Sequence, residues 1–137
     1  MGFTAGFVRQ HDEILALADQ IAENLHEEYL IDNHKETHDL LNKLAGKLGA
    51  HLSMEDKVLY PKLLQDEDRE VKKVALGFIN EMGSLNRIFG EYVDRWQDPQ
   101  KIRKQPENFI NETSEIFGAL GTRVAKENNI LYPLADK

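Results

Sequence analysis

One line of this sequence occurs twice. Leu48-Gly49-Ala50-His51-Leu52-Ser53-Met54-Glu55-Asp56-Lys57-Val58-Leu59-Tyr60-Pro61 returns 72 residues later as Leu120-Gly121-Thr122-Arg123-Val124-Ala125-Lys126-Glu127-Asn128-Asn129-Ile130-Leu131-Tyr132-Pro133, and Gly46 just upstream recurs as Gly118. Such an echo in a chain of 137 residues points to two halves built on one supersecondary unit. Each copy carries an ionisable pair four residues apart, His51/Glu55 in the first and Arg123/Glu127 in the second. On a helix that spacing puts both side chains on one face, one turn apart.

The hydrophobic period is helical throughout. A first helix is predicted from about Ala5 to Glu28, with Phe7, His11, Ile14, Ala18, Ile21 and Leu25 on one seam. The polar stretch from His26 to Lys35 interrupts the pattern. A second helix is expected from about Glu36 to Leu64, its seam running through Thr37, Leu41, Leu44, Leu48, His51, Glu55 and Leu59. The acidic connection Gln65-Asp66-Glu67-Asp68 supplies aspartates able to cap a third helix, about Arg69 to Gln97, with Phe78, Met82, Leu85, Phe89, Tyr92 and Trp96 in its stripe. A basic loop around Lys101, Arg103 and Lys104 follows. Pro106 then opens a fourth helix whose seam includes Phe109, Thr113, Ile116, Leu120, Arg123, Glu127 and Ile130. Tyr60 and Tyr132 are expected to pack the end of the bundle. No alternating β-branched run competes, and short connections favour antiparallel neighbours. The expected fold is therefore all-α, a single domain over residues 1–137 forming an antiparallel up-down-up-down four-helix bundle.

Composition removes several function classes. A formal net charge of −7 disfavours nucleic acid or an anionic membrane as partner. No apolar run is long enough to span a bilayer, and no signal peptide is evident. With no cysteine, disulfides, thiolate nucleophiles and thiolate metal sites are all excluded. The cytoplasm is the expected compartment.

The seams contain residues foreign to an apolar core: His11, His51, Glu55, Arg123 and Glu127 all fall at inward positions. A buried carboxylate costs several kcal/mol unless it is paired or bound to a metal. Two at matching heights also repel one another, so a positive species is expected between Glu55 and Glu127. It could be a metal, the Arg123 guanidinium, or both. His11 and His51 could equally be hydrogen-bonded core histidines, whereas His26, His34 and His38 read as surface or inter-helix residues.

At these positions the chain resembles the hemerythrin-like, or HHE cation-binding, family, over essentially its whole length. The phrases Gln10-His11-Asp12 and His51-Leu52-Ser53-Met54-Glu55, with the matched Leu-Tyr-Pro ends, carry the resemblance. It implies a histidine on each of the first and third helices and His-x-x-x-Glu on the second and fourth. It also implies two non-haem irons bridged by the carboxylates, used in dioxygen, nitric oxide or iron handling and sensing. His11, His51, Glu55 and Glu127 match that pattern and form the expected metal ligand set.

Two positions depart from it. Gly6-Phe7-Val8-Arg9-Gln10-His11 aligns with Gly77-Phe78-Ile79-Asn80-Glu81-Met82, so Met82 stands in place of one histidine, and Arg123 replaces the other. A thioether is a poor donor to hard iron, and a guanidinium does not ligate at all. A fixed +1 charge ~4 Å from a divalent ion is repelled by roughly 8 kcal/mol at an effective dielectric of ~20. The expected cofactor is iron or another divalent cation, at most one per chain, or none. Of the function classes, a cation-binding module for sensing, binding or storage, with a diatomic gas as a conceivable ligand, stands first. The alternative is a metal-free bundle in which Arg123 replaces the metal and the domain serves interaction or assembly. A di-iron redox enzyme is the weakest reading, and no catalytic residue is expected.

Overall fold

A computed structural model describes residues 2–137, and helices account for the secondary structure of that span, with no strand among the described residues. Helix α1 covers Ala5–Glu23 and α2 covers Glu27–Met54. A π turn, Glu55–Leu59, joins α2 to α3, Tyr60–Leu64. Next come α4, Arg69–Arg95, and α5, Pro99–Lys104. Helix α6, Pro106–Lys126, runs through a second π turn, Glu127–Leu131, into α7, Tyr132–Ala135. The long helices α1, α2, α4 and α6 pack on one another. No described helix is long and apolar enough to cross a membrane.

Three sequence expectations change. The polar stretch 26–35 is helical on either side of a break at Asn33 (φ −123°, ψ 32°), and α2 begins at Glu27, ahead of the expected Glu36. Glu27 and Glu28 in its first turn complement the helix dipole, and Leu30 there is fully buried, so polarity on the outer face is compatible with helix. A kink remains at Asn33, whose side-chain amide donates to the Tyr29 carbonyl at 3.2 Å. Second, α1 stops at Glu23, short of Glu28, with Asn24 closing its last turn. Third, the basic loop is the short helix α5, capped where Asp98 accepts the Gln100 N–H at 2.9 Å and anchored by buried Ile102. The expected caps elsewhere hold: Asp68 accepts the Glu70 N–H at 2.9 Å, and Pro106 sits in the first turn of α6.

The two π turns occupy the same place in the two repeats, and proline explains them. Pro61 and Pro133 lack the N–H that a regular turn would use, and their rings crowd the carbonyl four residues back. The backbone widens instead: Tyr60 N–H bonds Glu55 O, and Tyr132 N–H bonds Glu127 O, each spanning five residues. The extra residue shifts the helix phase. Leu59 and Leu131 are buried, whereas Val58 and Ile130 face solvent, so the inward position expected for Ile130 belongs to Leu131.

The core divides into two apolar clusters. One, centred on Ile14, Leu41, Tyr92 and Phe109, fills the α5 end of the molecule. The other joins Phe7, Leu59, Tyr60, Phe78, Leu131 and Tyr132. His11, His51, Glu55, Arg123 and Glu127, each at most 5% exposed, are buried as well.

Candidate metal centre

Helix α1 supplies His11, the end of α2 supplies His51, and the two π turns open with Glu55 and Glu127. One ligand atom from each of the four lies within 4.8 Å of the others. His11 Nε2 is 3.0 Å from Glu127 Oε1. His51 Nε2 is 3.4 Å from Glu55 Oε1 and 4.0 Å from Glu127 Oε1.

Both imidazoles are held from behind. His11 Nδ1 is 2.9 Å from Asn128 Oδ1, and His51 Nδ1 is 2.6 Å from Gln10 Oε1. An amide oxygen only accepts, so each Nδ1 carries a hydrogen and Nε2 is the ring atom that faces the carboxylates. This is the outer hydrogen bonding that fixes ligand histidines at metal sites. The edge of Phe7 meets the His51 ring at 5.9 Å.

The carboxylates are electrostatically split. Burial, followed by the neighbouring Glu127 charge, pushes the Glu55 carboxyl up to about 9. Burial also opposes ionisation of Glu127, but the hydrogen bond with His11 Nε2 and the proximity of His51 outweigh it and hold that carboxyl below its ordinary range. The pair thus shares one proton, held by Glu55. Glu55 Oε1 and Glu127 Oε2 are buried without a hydrogen-bond partner. Two unpartnered carboxylate oxygens beside two oriented imidazole Nε2 atoms form a nitrogen–oxygen donor set suited to iron, zinc or manganese.

The Arg123 expectation holds only in part, as an ion pair with Glu127 and none with Glu55 among the described residues. Its guanidinium does not bridge the carboxylates: Nη1 donates to Glu81 Oε2 at 2.8 Å and Nη2 to the Phe78 carbonyl at 2.6 Å, while Cζ lies 4.2 Å from the centre of the Phe78 ring. Nε stays 3.9 Å from Glu127 Oε2 and has no hydrogen-bond partner, and among the described residues Arg123 makes no ion pair with Glu55. Glu81 is 61% exposed and shares with Arg123, Lys126 and Thr122 a surface cleft of about 170 Å³. The arginine is therefore drawn toward α4 and the solvent side, where its charge is neutralised at lower desolvation cost. Met82 is buried in the α4 stripe, as expected.

Sequence reasoning assigned Tyr132 to packing, yet its hydroxyl belongs to the cluster. It donates to Glu55 Oε2 at 2.8 Å and lies 3.1 Å from His11 Nε2 and 3.4 Å from His51 Nε2. Burial, then Glu127 and Glu55, push this phenol far above its ordinary range. The available signal was the spacing. Tyr132 follows Glu127 by five residues, off its face in a regular helix, and only the proline-driven π turn aims it inward. Tyr60, its counterpart, is buried with its hydroxyl unpartnered.

No curated protein and no solved structure matches the chain. The hemerythrin HHE cation binding domain does, over residues 3–135. With nearly the whole length matched and a buried His/Glu cluster at its centre, the chain belongs to the hemerythrin HHE cation-binding family.

Proposed function

We propose that this chain binds one divalent non-haem cation, iron foremost, through His11, His51, Glu55 and Glu127, and serves as a sensing, binding or storage module. The supporting fold reading is a single domain arranged as an antiparallel up-down-up-down four-helix bundle, with the cytoplasm as the compartment suited to a cysteine-free chain. The observation that carries the reading is the convergence of four buried ligand atoms within 4.8 Å, with both imidazoles pinned through Nδ1. When bound, the cation supplies the positive charge that the two carboxylates lack. Its small-molecule partner, if the module senses one, belongs to the class of diatomic gases.

One cation, not two, follows from the other half of the centre. There Met82 and Arg123 stand where nitrogen donors would be needed, and the arginine charge opposes a second ion. The contacts of Arg123 favour this reading over a metal-free bundle in which it replaces the metal, since its hydrogen bonds go to Glu81 and Phe78 and it reaches Glu127 only through Nε at 3.9 Å.

Elemental analysis of protein purified without added metal, beside an iron-supplemented preparation, tests this directly. One cation per chain is expected; none, or two irons after mild reconstitution, would overturn it. Uptake should also release a proton, because Glu55 must ionise. Apparent affinity therefore rises with pH toward about 9, where that carboxyl loses its proton unaided. Stability of the cation-free protein moves the opposite way. The folded state keeps the Glu55 proton to about 9 while the unfolded chain releases it near the ordinary 4.5, so stability falls as pH rises across that window.

A further inference from the structure

We propose that Tyr132 is a direct ligand to the bound cation, coordinating through its phenol oxygen as a fifth donor beside His11, His51, Glu55 and Glu127. This rests on the cation reading above and deepens it. The argument is geometric. Donor atoms about 2.0–2.2 Å from one ion stand roughly 2.8–3.6 Å apart when adjacent and roughly 4.0–4.4 Å apart when opposite. Tyr132 Oη lies 2.8 Å from Glu55 Oε2, 3.1 Å from His11 Nε2 and 3.4 Å from His51 Nε2, all adjacent-vertex spacings. Two histidine–carboxylate separations fall in the same ranges, His11 Nε2 to Glu127 Oε1 at 3.0 Å and His51 Nε2 to Glu127 Oε1 at 4.0 Å.

A hydroxyl that only positioned Glu55 would need to touch the carboxylate alone. Instead its oxygen approaches His11 Nε2 more closely than His51 Nε2 approaches Glu55 Oε1. The ring is fixed in that aim by stacking on His11, with centroids 5.2 Å apart and planes at 19°, and by Phe7 at 5.8 Å. On coordination the phenol O–H bond breaks, the oxygen–metal bond forms, and the proton leaves to solvent. No electron is transferred. Tyr60 has no equivalent role, because its side of the centre offers Met82 and Arg123 in place of imidazoles.

The test uses the full chain loaded with iron(II) and oxidised to iron(III), with iron content measured on every sample. A phenolate bound to iron(III) gives a visible charge-transfer band with phenolate ring vibrations in its resonance Raman spectrum, which histidine and carboxylate ligation do not. The wild type should show this band. Tyr132→Phe should lose it while retaining iron, and Tyr60→Phe should keep it. Iron bound without the band, or a band that survives Tyr132→Phe, overturns the proposal and leaves the cation reading standing. A wild type that takes up no iron overturns both. Should Tyr132→Phe fail to fold, wild type containing ring-deuterated tyrosine decides the point beside Tyr60→Phe. Shifted vibrations with an unaltered Tyr60→Phe band support Tyr132, and unshifted vibrations or a band lost in Tyr60→Phe overturn it.

Discussion

On one side of the centre, Phe7 and Gln10 of α1 hold the His51 imidazole; on the other, Phe78 and Glu81 of α4 hold the Arg123 guanidinium. The positions correspond within the repeat, and so do the contacts: an aromatic face or edge against the nitrogen-bearing group, and a side-chain oxygen accepting from it. What differs is matched to charge. An imidazole N–H meets a neutral amide oxygen, whereas a permanent cation meets a carboxylate. The second half has therefore kept the architecture that orients a side chain at this position while changing what the side chain can do. A lone-pair donor aimed inward has become a fixed charge drawn outward. Tyr132 and Tyr60 complete the contrast, one hydroxyl in the ligand cluster and the other unpartnered.

The largest effect is expected from erasing the difference. Met82→His with Arg123→His should raise occupancy from one iron per chain to two, since it restores two nitrogen donors and removes the +1 charge. Glu81 would then accept from the new imidazole at 123 as Gln10 does from His51. Either single change should leave occupancy near one, because a lone nitrogen holds a second ion poorly. Elemental analysis and the near-ultraviolet bands of a bridged ferric pair read the outcome. A folded double variant holding a single iron would show that the second half has drifted beyond its two missing donors.

Next in size comes the outer support. Gln10→Ala frees His51 Nδ1 and should weaken cation binding roughly 10- to 100-fold, the usual consequence of losing such a partner. Glu81→Gln, at the matching position, should change affinity by far less, because it supports an arginine that touches no ligand lone pair. Titration calorimetry on both variants checks this, and equal losses would break the asymmetry between the halves.

Much of this was legible in the residues. The helical stripes place His11, His51, Glu55 and Glu127 inward, and the structure brings those four together. What sequence could not show depends on partners from other helices. Arg123 looked like a bridge between the glutamates because Glu127 is one turn away, but Glu81 and the Phe78 carbonyl of α4 compete for it and win. Tyr132 looked like packing because a regular helix turns it off the Glu127 face; the π turn that corrects its aim is written in Pro133, a signal easily read as a mere helix end. The stretch 26–35 departs from its sequence pattern for another reason. Its polarity describes the exposed face of α2, while buried Leu30 alone marks the inner one.

Arg123 also gives a stability test. Arg123→Leu should destabilise the cation-free protein by about 1.5–3 kcal/mol, the range for hydrogen bonds to a charged group. The cost is lower than orphaning a buried carboxylate, because the partner left behind, Glu81, is 61% exposed and can be hydrated. Chemical denaturation measures it. A loss well above this range would mean that Arg123 also neutralises Glu127 across the 3.9 Å gap.

The smallest effects are expected where the halves have not diverged. Gly46 and Gly118 recur in the repeat on exposed faces of α2 and α6, and a Cβ added at either meets nothing within 4 Å. Neither backbone has positive φ, so glycine is not required by conformation. Alanine at a helix-interior position costs less backbone entropy than glycine, and each of Gly46→Ala and Gly118→Ala should stabilise the protein by about 0.5–1 kcal/mol. The two gains should agree closely and should add, since the sites lie on different helices and share no contact. One local difference exists: Thr122 Oγ1 donates to the Gly118 carbonyl at 3.0 Å, whereas Ala50 occupies the matching position in the first copy. That bond uses the carbonyl and leaves the Cα free, so it survives the substitution. Unequal gains, or a loss at one glycine, would show that divergence between the halves extends beyond the centre into the regular helices that carry it.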